Sequence, residues 1–286
     1  MFIKLKAFQN VVANGTASLS TTELDGYSLH SLRFQLGGTF TKAQMTRIEV
    51  KINGKDLCNQ ITGTQVQAIN TWKNIGVAGA TDLSLYFGCP ESQTFHGMFV
   101  TDVDFSVIKA AGGGAATVEI QVDIGAATSP TLVVYAEVYQ PKALMGIFQP
   151  NEYGIVKALP RTLLTPAAAV TLYAQDVGYG SHAGAGIINE FWFHANLTAL
   201  QIKKNGVVIW DNIAITQMND WQLEQDHNLT AGMYVWSPTN NRWIGQLEPT
   251  LMPDGVTPYP FQHLLTTSAS DVISVFAEIA TQMAYL

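Results

Sequence analysis

The chain has 286 residues, of which 47% are hydrophobic and 13% charged, and its net charge is −7 from 15 basic and 22 acidic side chains. That balance excludes a disordered chain. With Lys203-Lys204 as its one adjacent basic pair, it also excludes direct wrapping of nucleic acid, which needs a cationic footprint. In chain order, residues 27–36 (YSLHSLRFQL) alternate apolar and polar and predict a half-buried strand. Residues 45–52 alternate again and run into Asn53-Gly54, the pair that supplies the two positive φ values of a tight hairpin. Residues 61–73 space Val66, Ile69 and Trp72 about three apart and predict a short helix, with Thr64 as its N-cap. Strands are predicted at 83–88, 117–124, 131–139, 169–175 and 187–194, with AAGGGAA at 110–116 as a loop tip. A second hairpin follows at 200–210 around Asn205-Gly206, then a second helix at 213–224 capped by Thr216. The last predicted strands are 233–236 and 271–280, separated by the proline-rich loop 249–260.

The two hairpin-and-helix stretches are copies of one another. Residues 48–69 slide onto 200–221 at an offset of 152 without a gap. Lys51, Asn53, Gly54, Ile61, Thr64 and Gln65 fall on Lys203, Asn205, Gly206, Ile213, Thr216 and Gln217, where roughly one or two identities are expected from residue frequencies. A second echo pairs Val134-Tyr135-Ala136-Glu137-Val138 with Val275-Phe276-Ala277-Glu278-Ile279 near the end of each half. A period this long points to a duplicated domain, not a solenoid. The expected division is a first domain over 1–141, a linker over 142–151 containing Gly146 and Pro150, and a second domain over 152–286. Many short strands in each half suggest an all-β protein, sandwich or jelly roll.

Motifs for chemistry are weak. Cys58 and Cys89 are too few for a disulfide framework or a metal site and read as buried thiols. The sequons at Asn14, Asn196 and Asn228 matter only in a secretory pathway. Residues 1–8 are too short and evenly mixed for a secretory signal, so the chain is read as starting where its gene starts. Gly178-Tyr179-Gly180-Ser181-His182-Ala183 matches a dinucleotide fingerprint in letters, but a strand follows it where that fingerprint needs a helix. His30, His96, His182, His194, His227 and His263 are scattered without zinc spacing. Asp102 and Asp104 offer hard oxygens of the kind calcium takes, although a calcium site needs about six to eight. No cofactor is expected, with structural calcium as the open alternative. Glu137 and Glu278 resemble a glycosidase pair only in residue type, and the repeat accounts for both. Of the six tryptophans, Trp72 and Trp221 are assigned to helix cores, while Trp236 and Trp243 border loops and stay unassigned.

Several stretches resemble a known family. Leu32-Arg33-Phe34, Gly38 to Met45 (GTFTKAQM), Arg47 to Gly54 (RIEVKING) and Val122 to Ala127 running into Pro130-Thr131-Leu132 are similar to the first barrel of corticovirus-type major capsid proteins. These belong to tailless bacteriophages with an internal membrane. The resemblance implies an all-β chain of two tandem eight-stranded jelly rolls, each here with one short helix. It implies a homotrimer of pseudo-hexagonal outline, tiling an icosahedral shell over a lipid vesicle, located in the virion and without enzymatic activity. The implied partners are further copies of the chain, minor capsid, penton or membrane proteins of the virion, and the viral membrane nearby, with no direct nucleic acid. Met1-Phe2-Ile3-Lys4-Leu5-Lys6 alternates apolar residues with lysines. It is read either as a membrane-facing segment or as an ordinary first strand or arm clasping a neighbour. The second of these is favoured, because so short a segment binds lipid weakly. The competing functional classes are a secreted double-jelly-roll carbohydrate-binding protein or glycan hydrolase, and a host-recognition spike.

Overall fold

The computed structural model describes residues 1–76, 79–92, 94–112, 114–140, 154–175, 186–239 and 246–283. The chain separates into two compact units. The first holds Met1–Asn70, Ile75–Leu159 and Ala280–Leu286, and the second holds Thr71–Asn74 and Pro160–Ile279. The expected linker at 142–151 lies outside the described residues.

The first unit runs β1 (Phe2–Lys4), β2 (Thr16–Thr21), β3 (Ser28–Gly37), a 3-10 turn (Lys42–Gln44), β4 (Met45–Ile52) and β5 (Lys55–Ile61). Then come α1 (Gly63–Trp72), β6 (Asp82–Tyr86), α2 (Phe95–Phe99), β7 (Val103–Asp104), α3 (Phe105–Gly112), β8 (Val118–Ile124), β9 (Thr131–Tyr139) and β10 (Ile155–Ala158). One sheet has the order β1-β9-β3-β6, with the two-residue β7 also on β3, and the other has the order β2-β8-β4-β5. With β7 set aside, the eight long strands from β1 to β9 pair first with last and second with seventh. That is the double Greek key of a jelly roll.

The second unit runs β11 (Arg161–Leu164), β12 (Val170–Gln175), β13 (Gly186–Phe193), β14 (Leu197–Lys204) and β15 (Val207–Ala214). It continues with α4 (Ile215–Glu224), β16 (Met233–Trp236), β17 (Phe261–Thr267) and β18 (Ile273–Gln282). Here β11 pairs β18 in the sheet β18-β13-β16, and the facing sheet is β12-β17-β14-β15. Counted along the chain, the order is the same as in the first unit. The chain is a double jelly roll.

Alternation builds both cores. In β8, Val118, Ile120, Val122 and Ile124 are buried, while Glu119, Gln121 and Asp123 are only partly so. In the second unit Trp192, Leu200, Ile202, Tyr234, Leu265, Val275 and Ile279 form one buried cluster, joined by Met218 from α4. Burial of this kind is the main favourable term in such a fold.

Two local expectations need correction. The first jelly roll carries α2 and α3 besides α1, in the long connection between β6 and β8, so it does not have one helix alone. The helix caps also differ. Gln65 N–H donates to Thr62 Oγ1 at 3.2 Å and Thr62 N–H donates to Gln65 Oε1 at 3.0 Å, a reciprocal capping box that makes Thr62 the cap of α1 instead of Thr64. In α4 the extended N-cap is Ala214, which has no side chain to donate or accept, and Thr216 sits inside the first turn.

Candidate functional site

The repeated hairpins are congruent in backbone as well as in sequence. Asn53 and Gly54 have φ of 51° and 77° between β4 and β5, and Asn205 and Gly206 have 50° and 77° between β14 and β15. These four sit at the tight turns that join each strand pair. Further along, Gln60 (53°) and Asn212 (46°) take a left-handed backbone, again 152 residues apart. A non-glycine residue adopts that region rarely, so the shared distortion marks one inherited strand shape. Both hairpins carry a register shift across this residue.

The same shape is dressed differently in the two units. In the first, the outer edge of β5 is closed by Leu159. Its N–H donates to the Leu57 carbonyl at 2.7 Å, and its carbonyl accepts from Asn59 N–H at 3.3 Å, a parallel bridge opposite Cys58. Leu57 and Cys58 are buried there at 1% and 0% exposure. In the second, β15 ends its sheet among the described residues. Val207, Val208 and Ile209 are 65%, 41% and 36% exposed, and Trp221 and Leu223 of α4 are 36% and 56% exposed. Trp221 meets Trp210 edge-on, with ring centroids 5.8 Å apart. Trp221 is therefore not a core residue, contrary to its helical spacing. Its counterpart Ile69 is buried, at 5% exposure.

The N-terminal residues are placed as a strand. Phe2, Ile3 and Lys4 pair with Glu137, Ala136 and Tyr135 on β9. Leu5 is buried, whereas Met1 and Phe2 stay 56% and 54% exposed. Lys6 lines a shallow groove with Glu119 and Gln121. The Arg33 guanidinium lies 4.8 Å over the Phe2 ring, beside a groove of 420 Å³ whose lining includes Gln35, Asp82 and Tyr135.

The acidic candidates are each bound into separate networks. Asp102 is buried and meets His30 Nδ1 at 2.8 Å. Burial pushes its carboxyl up to about 6, against the pull of the His30 bond. Asp104 instead accepts from Ser106 N–H at 2.8 Å and from the Ser106 hydroxyl at 2.5 Å, at the start of α3. Both residues are buried, and their two carboxyl groups serve different partners. Among the described residues no group of three or more His, Cys, Asp or Glu side chains is placed to hold a metal.

Glu137 accepts from Ser31 Oγ at 2.7 Å and Arg33 at 3.1 Å. Burial would raise its pKa, but those two partners outweigh it and hold it low. Glu278, in the second unit, accepts from Lys73 Nζ at 2.7 Å and Asn189 at 2.6 Å, all deeply buried. Nearby Glu190 meets His263 at 3.1 Å and accepts from Trp192 Nε1 at 3.0 Å. These are closed structural networks, with every named carboxylate committed to a neighbour.

Of the remaining candidates, Cys58 and Cys89 are buried, and burial pushes the Cys58 thiol up. Trp72, Trp192 and Trp236 are buried, with Trp72 stacked on His227 at 3.9 Å. His194 lies partly buried, and that burial lowers its pKa. The segment Gly178–Ala183 and Trp243 lie outside the described residues, as does the His96 side chain. No described helix is long and apolar enough to cross a membrane.

A family model of the viral coat protein P2 N-terminal domain matches residues 2–139. No curated protein matches the sequence. Among solved structures, the chain is similar to the major capsid protein P2 of bacteriophage PM2, at 15% identity over 98% of this chain and 97% of that one, with a TM-score of 0.78. It is also similar to the major capsid protein of Sulfolobus turreted icosahedral virus, at 11% identity over 99% and 97% of the two chains, with a TM-score of 0.65. The PBCV-1 virus capsid gives 12% identity over 98% and 92%, with a TM-score of 0.61. Both jelly rolls fall within each match. Residues 2–139 thus match the viral coat protein P2 N-terminal domain, and the whole chain shares the double jelly-roll fold of these solved capsid proteins.

Proposed function

We propose that the chain is the major capsid protein of an icosahedral virus and works by self-association in the virion shell, without chemistry of its own. The observation that carries this is the duplicated jelly roll, with the same strand order in both units. Two jelly rolls per chain let three chains fill a six-cornered tile, because closed cyclic symmetry supplies the factor of three. The reading is a homotrimer of pseudo-hexagonal outline, laid over an internal membrane and meeting minor capsid, penton or membrane proteins. The low charge of 13% suits surfaces that end up inside large interfaces. The absence of a basic cluster in the sequence suits a shell that does not hold the genome directly. Against a glycan hydrolase, Glu137 and Glu278 are each neutralised by their own cationic and polar neighbours.

Electron microscopy of the purified chain tests the reading. Six-cornered tiles or closed shells are expected. Isolated particles of one chain, together with binding or hydrolysis on a glycan array, would replace it with the carbohydrate-active alternative.

A further inference from the structure

The exposed β15 edge has a built-in answer to what covers it, because its counterpart β5 is already covered. The bridge to β5 comes from Leu159, so the question is which residue of the chain stands where Leu159 stands. Phe276 pairs with Arg161 of β11, and its repeat-equivalent Tyr135 pairs with Lys4 of β1. Arg161 is thus the counterpart of Lys4. Two residues back along the chain, Leu159 is the counterpart of Phe2.

Backbone geometry at Phe2 agrees with this. Met1 and Val138 exchange both backbone bonds, at 3.0 and 2.8 Å. Leu5 N–H donates to Val134 at 3.1 Å. Antiparallel pairing alternates bonded and non-bonded positions, so Phe2 turns its own N–H and carbonyl away from β9. β1 is also the end strand of its sheet. Leu159 uses these same two groups to bridge β5. Where Leu159 is 3% exposed, Phe2 is 54% exposed and Met1 is 56% exposed. Among the described residues, one edge thus lacks a strand, and one strand of matching apolar character has an open edge.

We infer that the outer edge of β15 receives the Met1–Lys4 strand of a second copy of this chain, with Phe2 opposite Trp210. This rests on the capsid reading and names the subunit contact within it. By equivalence, Phe2 N–H donates to the Ile209 carbonyl and Asp211 N–H donates to the Phe2 carbonyl. Met1 and Phe2 cover Val208, Ile209 and the Trp210–Trp221 pair. Each chain gives one strand and receives one, so the contact is head-to-tail, the kind that forms a ring when its rotation closes, as the trimer of the capsid reading requires. An exposed apolar edge strand is otherwise an aggregation hazard, and this pairing removes it.

Two variants that each add one cysteine to the buried Cys58 and Cys89, Ile3→Cys and Asp211→Cys, test the contact when co-expressed and treated with a mild oxidant. Parallel pairing places these residues opposite each other at about 4.8 Å, within disulfide reach. A disulfide-linked dimer joining one variant to the other is expected. Assembly to the trimer mass of 93.3 kDa without that link overturns the contact and leaves the capsid reading standing. A mixture that stays at 31.1 kDa overturns both. Val208→Glu, at a site that is 41% exposed, is expected to keep the parent's far-ultraviolet circular dichroism while weakening association about tenfold or more. Unchanged association in that variant would also overturn the contact.

Discussion

Asp102 shows how one buried carboxyl ties stability to pH. It meets His30 at 2.8 Å in the first unit, and burial raises it from 3.8 to about 6. A carboxyl raised on folding holds its proton more tightly in the fold. Its contribution is complete below the unfolded value and is lost as pH rises from about 4 to 6, on the order of 3 kcal/mol in all. Glu137 works in the opposite sense, since it is held low and its contribution is lost as pH falls. Comparing Asp102→Asn with the parent cancels the Glu137 effect. Thermal melts across pH 4–6 are expected to be flatter in the variant by that amount, and parallel profiles would show that Asp102 does not titrate there. Neither residue's role was visible in the sequence. Asp102 and His30 lie 72 positions apart, and only the fold brings them together. Asn53-Gly54 and Asn205-Gly206 were legible because an Asn-Gly pair dictates its own backbone locally.

Among elements, the long alternating strands were legible and the short or atypical ones were not. β3, β4, β8 and β9 announce themselves by alternation, whereas β2 (TASLST) buries the small side chains Ala17 and Thr21 beside Leu19. In β17 the buried His263 interrupts the apolar pattern, because its partner Glu190 comes from another strand. α1 and α4 were placed within two residues, while α2 and α3 were missed, and the caps of the first two were misassigned. Thr62, not Thr64, closes the box with Gln65, and the counterpart in α4 is the exposed Ala214 with Gln217 already three residues on. Ala214→Thr therefore restores the missing half of a capping box on an extended residue, with φ of −69° and ψ of 148°. It is expected to stabilise the protein by about 1 kcal/mol, read as a higher denaturation midpoint at unchanged slope. A lower midpoint would mean that the exposed N-terminus of α4 does not tolerate the side chain.

At the scale of the whole molecule, duplication was the most legible property and the interaction surface the least. The 152-residue offset in sequence reappears in strand order and in the paired left-handed residues Gln60 and Asn212. What the sequence could not separate is a buried apolar residue from one awaiting a neighbour. Ile69 and Trp221 occupy equivalent helical positions, but one is buried and the other exposed. That asymmetry between otherwise matching halves is what a subunit interface requires of a duplicated chain. The central claim is that this chain is a shell tile made by closing three copies into a ring. Light scattering on the purified chain tests it most directly. A concentration-independent mass of 93.3 kDa, three chains of 31.1 kDa, or larger shells, is the predicted result. A mass of 31.1 kDa that persists as concentration rises would contradict it.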